Sequence, residues 1–263
     1  MNPRRRALEV LSLADPTEKA AQAGALFASL ARQAIDPHEP ITCSADLPGR
    51  PPRPRLVAPR DVPSRSAATL EGRAALLHAI AHIEFNAINL ALDAVWRFPA
   101  MPPGFYRDWL RVASEEALHF RLLRTHLQSL GHDYGDFDAH DGLWTMVERT
   151  RADITARMAL VPRTLEARGL DATPPLQAKF ARAGDTRAVE ILDIILRDEI
   201  GHVAIGNHWY RWLCERAGLD PGAHYALLSA RHGAPRPRPP FNIGARRAAG
   251  FSDAEIDSLA PRS

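Results

Sequence analysis

Two Glu-x-x-His pairs, each set in the middle of an otherwise apolar helical stripe, constrain this chain more than any other feature of its sequence. Between Asp185 and Gly218, the residues Ala188, Leu192, Ile195, Glu199, His202, Gly206 and Trp209 fall on one stripe at helical period. Upstream, Glu116 and His119 lie on a stripe of Trp109, Val112, Ala113, Phe120, Leu123 and Leu127. A helix face turned to a core is ordinarily apolar throughout. Residues three apart share a face, so in each motif the carboxylate and the imidazole point the same way. Burying an unpartnered carboxylate costs many kcal/mol, and a metal ion is the simplest compensation.

One such motif arises easily by chance, but two in matching contexts carry weight. Four-helix proteins that bind two iron or manganese ions combine two Glu-x-x-His motifs with one Glu from each of the other two helices. The sequence supplies both. Glu84 sits in the small, apolar stripe Leu77, Ile80, Ala81, Ala87, Ile88, Ala91, Val95, and precedes Glu116 by 32 residues; Glu166 precedes Glu199 by 33. This near-equal spacing is an internal repeat of helix pairs. The expected metal ligands are Glu84, Glu116, His119, Glu166, Glu199 and His202. Glu166 lies at the edge of its stripe (Ile154, Met158, Val161, Leu165), and Glu148 is its rival on the same predicted helix. Four carboxylates balance two divalent ions. Oxygen and imidazole donors without thiolate favour iron or manganese over zinc. Glu115 and Asp198 each precede a ligand Glu, and each is a candidate to orient the His of the other pair by accepting its second N–H.

The rest of the composition narrows the class by exclusion. A 263-residue chain with 46% hydrophobic and 24% charged residues is that of a soluble globular protein. The net charge of +2 gives no global attraction to nucleic acid. Cys43 and Cys214 are too few for a disulfide framework, and they read as ordinary thiols. The basic start, Met1 to Arg6, is followed by Asp15, Glu18 and Lys19 rather than by an apolar segment, so it is not a secretory signal. No run nears the ~20 apolar residues of a membrane span. The expected compartment is the cytoplasm.

Breaker residues divide the chain into residues 1–35, an N-terminal helical segment; 36–67, a Pro-rich extended arm; 68–218, the di-metal four-helix bundle; and 219–263, an extension with short helices. The first segment breaks near Asp15-Pro16, and the arm holds eight of the 22 prolines. The first bundle helix runs from about Thr69 to Phe98, and the second from near Pro103 to a cap at Gly131. The third is expected from Gly142 to Arg168, bent at Pro162 and stopped at Gly169, with a loop through Pro174-Pro175 and a short helix over 176–183. Asp185 caps the fourth, which closes at Gly218. Asp220-Pro221 starts a short helix, and Ser252 to Glu255 is a capping box. No strand is predicted.

Of the remaining polar residues, His78 and His82 fit a polar contact with the Pro-rich arm better than an H-x-x-x-H metal pair, because they point away from Glu84. Trp96, Trp109, Trp144, Trp209 and Trp212 are spaced as core residues, and Tyr106 and Tyr210 read as packing residues.

Several runs also resemble a known family. They are His82-Ile83-Glu84, Glu115 to Phe120, Tyr134 to Phe137 with Ala139 to Trp144, Leu165 to Asp171, and Arg197 to Ile200 with His202-Val203-Ala204. Together they resemble the uncharacterised ferritin-like proteins grouped as domain-of-unknown-function family 455, over nearly the whole chain. The resemblance implies an all-α, ferritin-like four-helix bundle. The wider kin are di-iron tRNA hydroxylases, ribonucleotide reductase small subunits and ferritins. Asp198-Glu199-x-x-His202 is similar to the D-E-x-R-H run of oxygen-activating members, with Gly201 in place of the Arg. The expected function is an oxygen-activating oxidoreductase, a hydroxylase or oxidase, with two iron ions, manganese, or one of each as cofactor. Its partners would be dioxygen, an unidentified substrate and an unidentified electron donor, with a homodimer left open. The alternative is a non-catalytic protein for iron handling or storage. An RNA substrate rests on fold-level analogy alone, kept open by the arginines from Arg231 to Arg247.

Overall fold

The computed structural model describes residues 1–63 and 66–259, so two residues of the expected arm and the last four of the expected extension lie outside the described residues. Among the described residues the chain is all-α, and its β-pairing is one isolated bridge, Leu56 with Ala139. It forms two compact units, Met1–Trp144 and Thr145–Ser263.

The first unit opens with α1 (Pro3–Leu11) and α2 (Pro16–Ser29). Their break is local chemistry: Asp15 accepts the Glu18 amide at 2.7 Å, and Pro16 takes a first-turn position where no donor is missed. Next come α3 (Leu70–Arg97), capped by Thr69, and α4 (Pro103–Ser129), left at Gly131 with φ 82°. α3 packs along α4, with α1 against α3 and α2 against α4. The buried Arg4 ties the unit's corner together. Its guanidinium donates to the Val95 and Trp96 carbonyls in the last turn of α3, and to those of Pro37 and Glu39 where the arm begins. A cation there satisfies carbonyls that the helix leaves open.

At α3 the expectation that no run nears the length of a membrane span fails. This helix is long and apolar enough to cross a membrane, yet 78% of its most apolar stretch is buried inside the protein. It is a core helix, buried on every face from Glu84 to Trp96 but exposed at Ala79 and Ile83, and its buried polar residues lie on more than one face.

The arm is packed against the crossover loop. Val57 donates to the Ala139 carbonyl at 2.8 Å, Ala139 to the Arg55 carbonyl at 3.0 Å, and Arg50 bonds Asp141 at 2.7 Å. Gly135, at φ 110°, leaves only 3.1 Å between an added Cβ and that of Arg53, so the crossover loop and the arm meet where no side chain fits.

The third helix departs most from expectation. α5 (Gly142–Arg149) is a separate short helix, and the unit boundary falls within it. After a turn, Asp153 caps α6 (Ile154–Leu160), which runs through a π-helical turn, Val161–Glu166, into α7 (Ala167–Arg182). Gly169 does not stop the helix, and the double proline Pro174-Pro175 lies inside α7 rather than in a loop. The break that spacing placed at Gly169 is instead made by the Asp153 cap. The bend expected at Pro162 takes the form of the wide turn.

α8 (Thr186–Arg216) keeps its Asp185 cap and is left at Gly218, φ 64°. It packs on α6, the π turn and α7, with α9 (Pro221–His232) against α6 and α8. α10 (Ile243–Ala248), which the sequence reading missed, seats Ala245 and Ala249 on Ala167, Leu170 and Val203. α11 (Asp253–Asp257) has its capping box complete. Trp96, Trp109, Trp144 and Trp209 are buried as expected, whereas Trp212 is half-buried under Arg216.

Candidate metal centre

The first unit builds a three-donor cluster from two helices. Glu84 comes from α3, and Glu116 with His119 from α4; all three are buried, at 3%, 0% and 0% exposure. One donor atom from each lies within 4.8 Å of the others. His119 Nδ1 stands 3.0 Å from Glu84 Oε2 and 3.2 Å from Glu116 Oε2. Burial raises the Glu84 carboxyl well above its ordinary value, and the neighbouring Glu116 charge raises it further, against a smaller pull from His119. Two carboxylates and an imidazole nitrogen converging away from water is the donor chemistry of a hard or borderline divalent ion. The cluster fits such an ion: a cation here would offset the burial penalty on these carboxylates and the repulsion between Glu84 and Glu116.

The second unit carries the other motif on α8. Glu199 and His202 are buried, at 6% and 0% exposure, with Glu199 Oε1 3.8 Å from His202 Nδ1. Opposite Glu199, a side chain at Gly169 would begin 4.0 Å from its carboxyl carbon, so α7 presents its glycine where α8 presents that carboxylate. Glu166, one turn before Gly169, is 7% exposed, while Leu165 beside it is half-buried. Its rival Glu148 is on the separate helix α5, exposed, with Arg151 nearby.

The acids next to the candidate ligands Glu116 and Glu199 meet arginines. Asp198 receives Arg197 Nε at 2.9 Å, and Glu115 lies 3.9 Å from Arg111. His78 and His82 make polar contacts with the crossover loop, where the expected partner was the Pro-rich arm. His78 Nε2 accepts the Gly135 amide at 2.9 Å and its ring stacks on Tyr134, while His82 Nδ1 bonds the Tyr134 hydroxyl at 2.9 Å. Burial lowers His78 to about 4 and His82 to about 3. Tyr106 and Tyr210 donate to the carbonyls of Phe98 and Pro221, which is packing chemistry.

His78 and His82 continue into Asn86, Asn89 and Asp93, three residues missed from the sequence, as a second buried polar stripe on α3 at steps of four, four, three and four. Its partner is Lys19 of α2, fully buried, which donates to Asn89 Oδ1 at 2.7 Å and to the Gly49 carbonyl at 2.8 Å. The spacing was the available signal, since it repeats the logic that picked out Glu84 on the other side of the same helix.

Against known proteins, the chain matches the family model described as a protein of unknown function (DUF455) over residues 12–257. It is 51% identical over 258 residues to a Haemophilus influenzae protein described as uncharacterized, covering 94% of this chain and 90% of that protein. No solved structure matches it.

Proposed function

This chain belongs to the DUF455 family, and we propose that its two Glu/Glu-x-x-His sets together hold two ions of iron or manganese for oxygen-dependent oxidation of a substrate. The observation that carries this reading is the buried Glu84, Glu116, His119 cluster with its donor atoms within 4.8 Å. Its ligand pattern recurs as Glu166, Glu199 and His202 at nearly the same spacing. A ferritin-like arrangement of α3, α4, α6–α7 and α8 is part of the proposal.

Such ions, when reduced, supply dioxygen activation. The protein's own residues set the conditions. Glu84, Glu116, Glu166 and Glu199 supply charge that matches two divalent ions, and burial excludes water from the ligands. Glu115 and Asp198 are proposed to fix the histidines' second N–H, as acids outside a ligand set commonly do.

Elemental analysis of the purified protein, beside a Glu116→Ala/Glu199→Ala variant, tests the reading. About two equivalents of iron or manganese, lost in the variant, are expected. Absence of any transition metal after anaerobic Fe(II) loading would overturn it. Bound metal without oxygen consumption in the reduced protein would favour iron handling over oxidation.

A further inference from the structure

Glu166 sits at the end of a π turn, and such a turn is widened by one residue relative to an α-helix, so tertiary contacts must hold its shape. Here successive residues of the turn are pinned. Pro162 fills a notch at Gly206 of α8, where an added Cβ would come within 2.5 Å of its ring. Thr164 Oγ1 donates to the Ala159 carbonyl at 2.8 Å and meets the Tyr225 hydroxyl of α9 at 2.9 Å. Arg163 is the best held: at 5% exposure it bonds Asn207 Oδ1 of α8 and Glu255 of α11, and its guanidinium lies 4.8–5.4 Å from the rings of Phe251, Tyr225 and Tyr210.

Glu255 is therefore the end of a strut. Its carboxylate is shared between Arg163, Arg211 at 3.0 Å and the Ser252 amide at 2.8 Å. Burial pushes this carboxyl up, but the guanidiniums and the amide hold it below its ordinary value. A buried guanidinium with its carboxylate removed is strongly destabilised, so loss of Glu255 would remove one of the main contacts that pin the turn.

We propose that Glu255, acting through Arg163, is a positioning residue that aims Glu166 as a metal ligand, so that the C-terminal segment completes the metal centre. This inference rests on the metal reading above. Glu255 touches no ligand, and its effect passes along one helical turn.

The test compares the full-length wild type with Glu255→Ala, Glu255→Gln and a control, Ile191→Ala, which removes buried core at the far end of α8. Metal equivalents, Co(II) visible spectra, chelator competition and thermal midpoint are read for each. Glu255→Ala should weaken at least one ion by ~10–100-fold, the range seen when groups supporting a ligand are removed. It should also alter the Co(II) spectrum, with Glu255→Gln, which still accepts from Arg163, recovering part of the loss. Ile191→Ala should lower the thermal midpoint and leave metal affinity and spectrum unchanged. Hydrogen exchange of 161–166 should accelerate in Glu255→Ala whether or not metal is added. Wild-type metal affinity and spectrum in Glu255→Ala would overturn this inference alone. A wild type that takes up no metal would overturn both it and the function proposed above.

Discussion

Lys19 is one of two lysines in the chain and is completely buried, beside Asn89 and the Phe85 ring, so its charge is a measurable burden on the fold. Burial, with a smaller push from Arg50, lowers its amine from the ordinary 10.5 to about 7. The unfolded chain therefore binds one more proton than the folded chain between those two values, and folding stability rises with pH across that window. The gap of roughly 3.5 pH units corresponds to about 5 kcal/mol at ~1.4 kcal/mol per unit, as an upper bound. Lys19→Met removes the titration but leaves the Asn89 and Gly49 oxygens without their buried donor, a loss of about 1–3 kcal/mol. The variant should thus be the more stable protein by roughly 2–4 kcal/mol near pH 7, and the wild type should gain roughly 3 kcal/mol on it by pH 9.5. Urea unfolding of both at half-unit steps from pH 7 to 9.5 measures the difference directly. Parallel curves, with the difference flat to within about 0.5 kcal/mol, would refute the claim that a buried amine is kept neutral against Asn89.

The glycines of the second unit give a contrasting pair. Gly206→Ala would drive a Cβ to 2.5 Å from Pro162 and should cost about 1–3 kcal/mol, whereas Gly169→Ala meets Glu199 at an ordinary 4.0 Å and should stabilise by about 0.5–1 kcal/mol through helix propensity. Thermal melts of the two variants check the opposite signs. In acid, His78 and His82, held at about 4 and 3 against an ordinary 6.5, let the unfolded chain take up protons first. Stability should fall as pH drops from 6.5 toward 4.5, by up to about 5 kcal/mol relative to a His78→Gln/His82→Gln variant. Denaturant midpoints that follow the same course in both proteins would contradict this.

The parts of the fold that could be read from residues alone are those fixed by short-range chemistry. Asp15-Pro16, Thr69, Pro103, Asp185 and Asp220-Pro221 each set a helix start through a side chain and its neighbouring amides, or through proline geometry, and each start stands where expected. Long-range packing was hidden. Nothing local marks Lys19 as buried, because its partners Asn89 and Gly49 lie 70 and 30 residues away. The double proline misled for a related reason: two missing amides weaken a helix, but α8 and α10 pack against α7 and hold it together through that point.

Glu166 shows how an apparent flaw in a pattern can be a structural signal. Projected on a regular helix, the stripe Ile154, Met158, Val161 continues to Leu165, and Glu166 falls beside it. A π turn inserts one residue, so every position after it is displaced by one relative to the preceding stripe. The residue that follows Val161 on the buried face then becomes Glu166, and Leu165 moves outward, in agreement with a buried Glu166 and a half-buried Leu165. The off-stripe glutamate, the proline one turn before it and the glycine at Gly206 that receives that proline are three signs of a single inserted residue. A helix with 3.6-residue periodicity throughout would have put a leucine where the ligand pattern asks for a carboxylate. The wide turn reconciles the apolar stripe with that pattern, and under the proposed metal reading the contacts that keep it wide are contacts on which the placement of Glu166 depends.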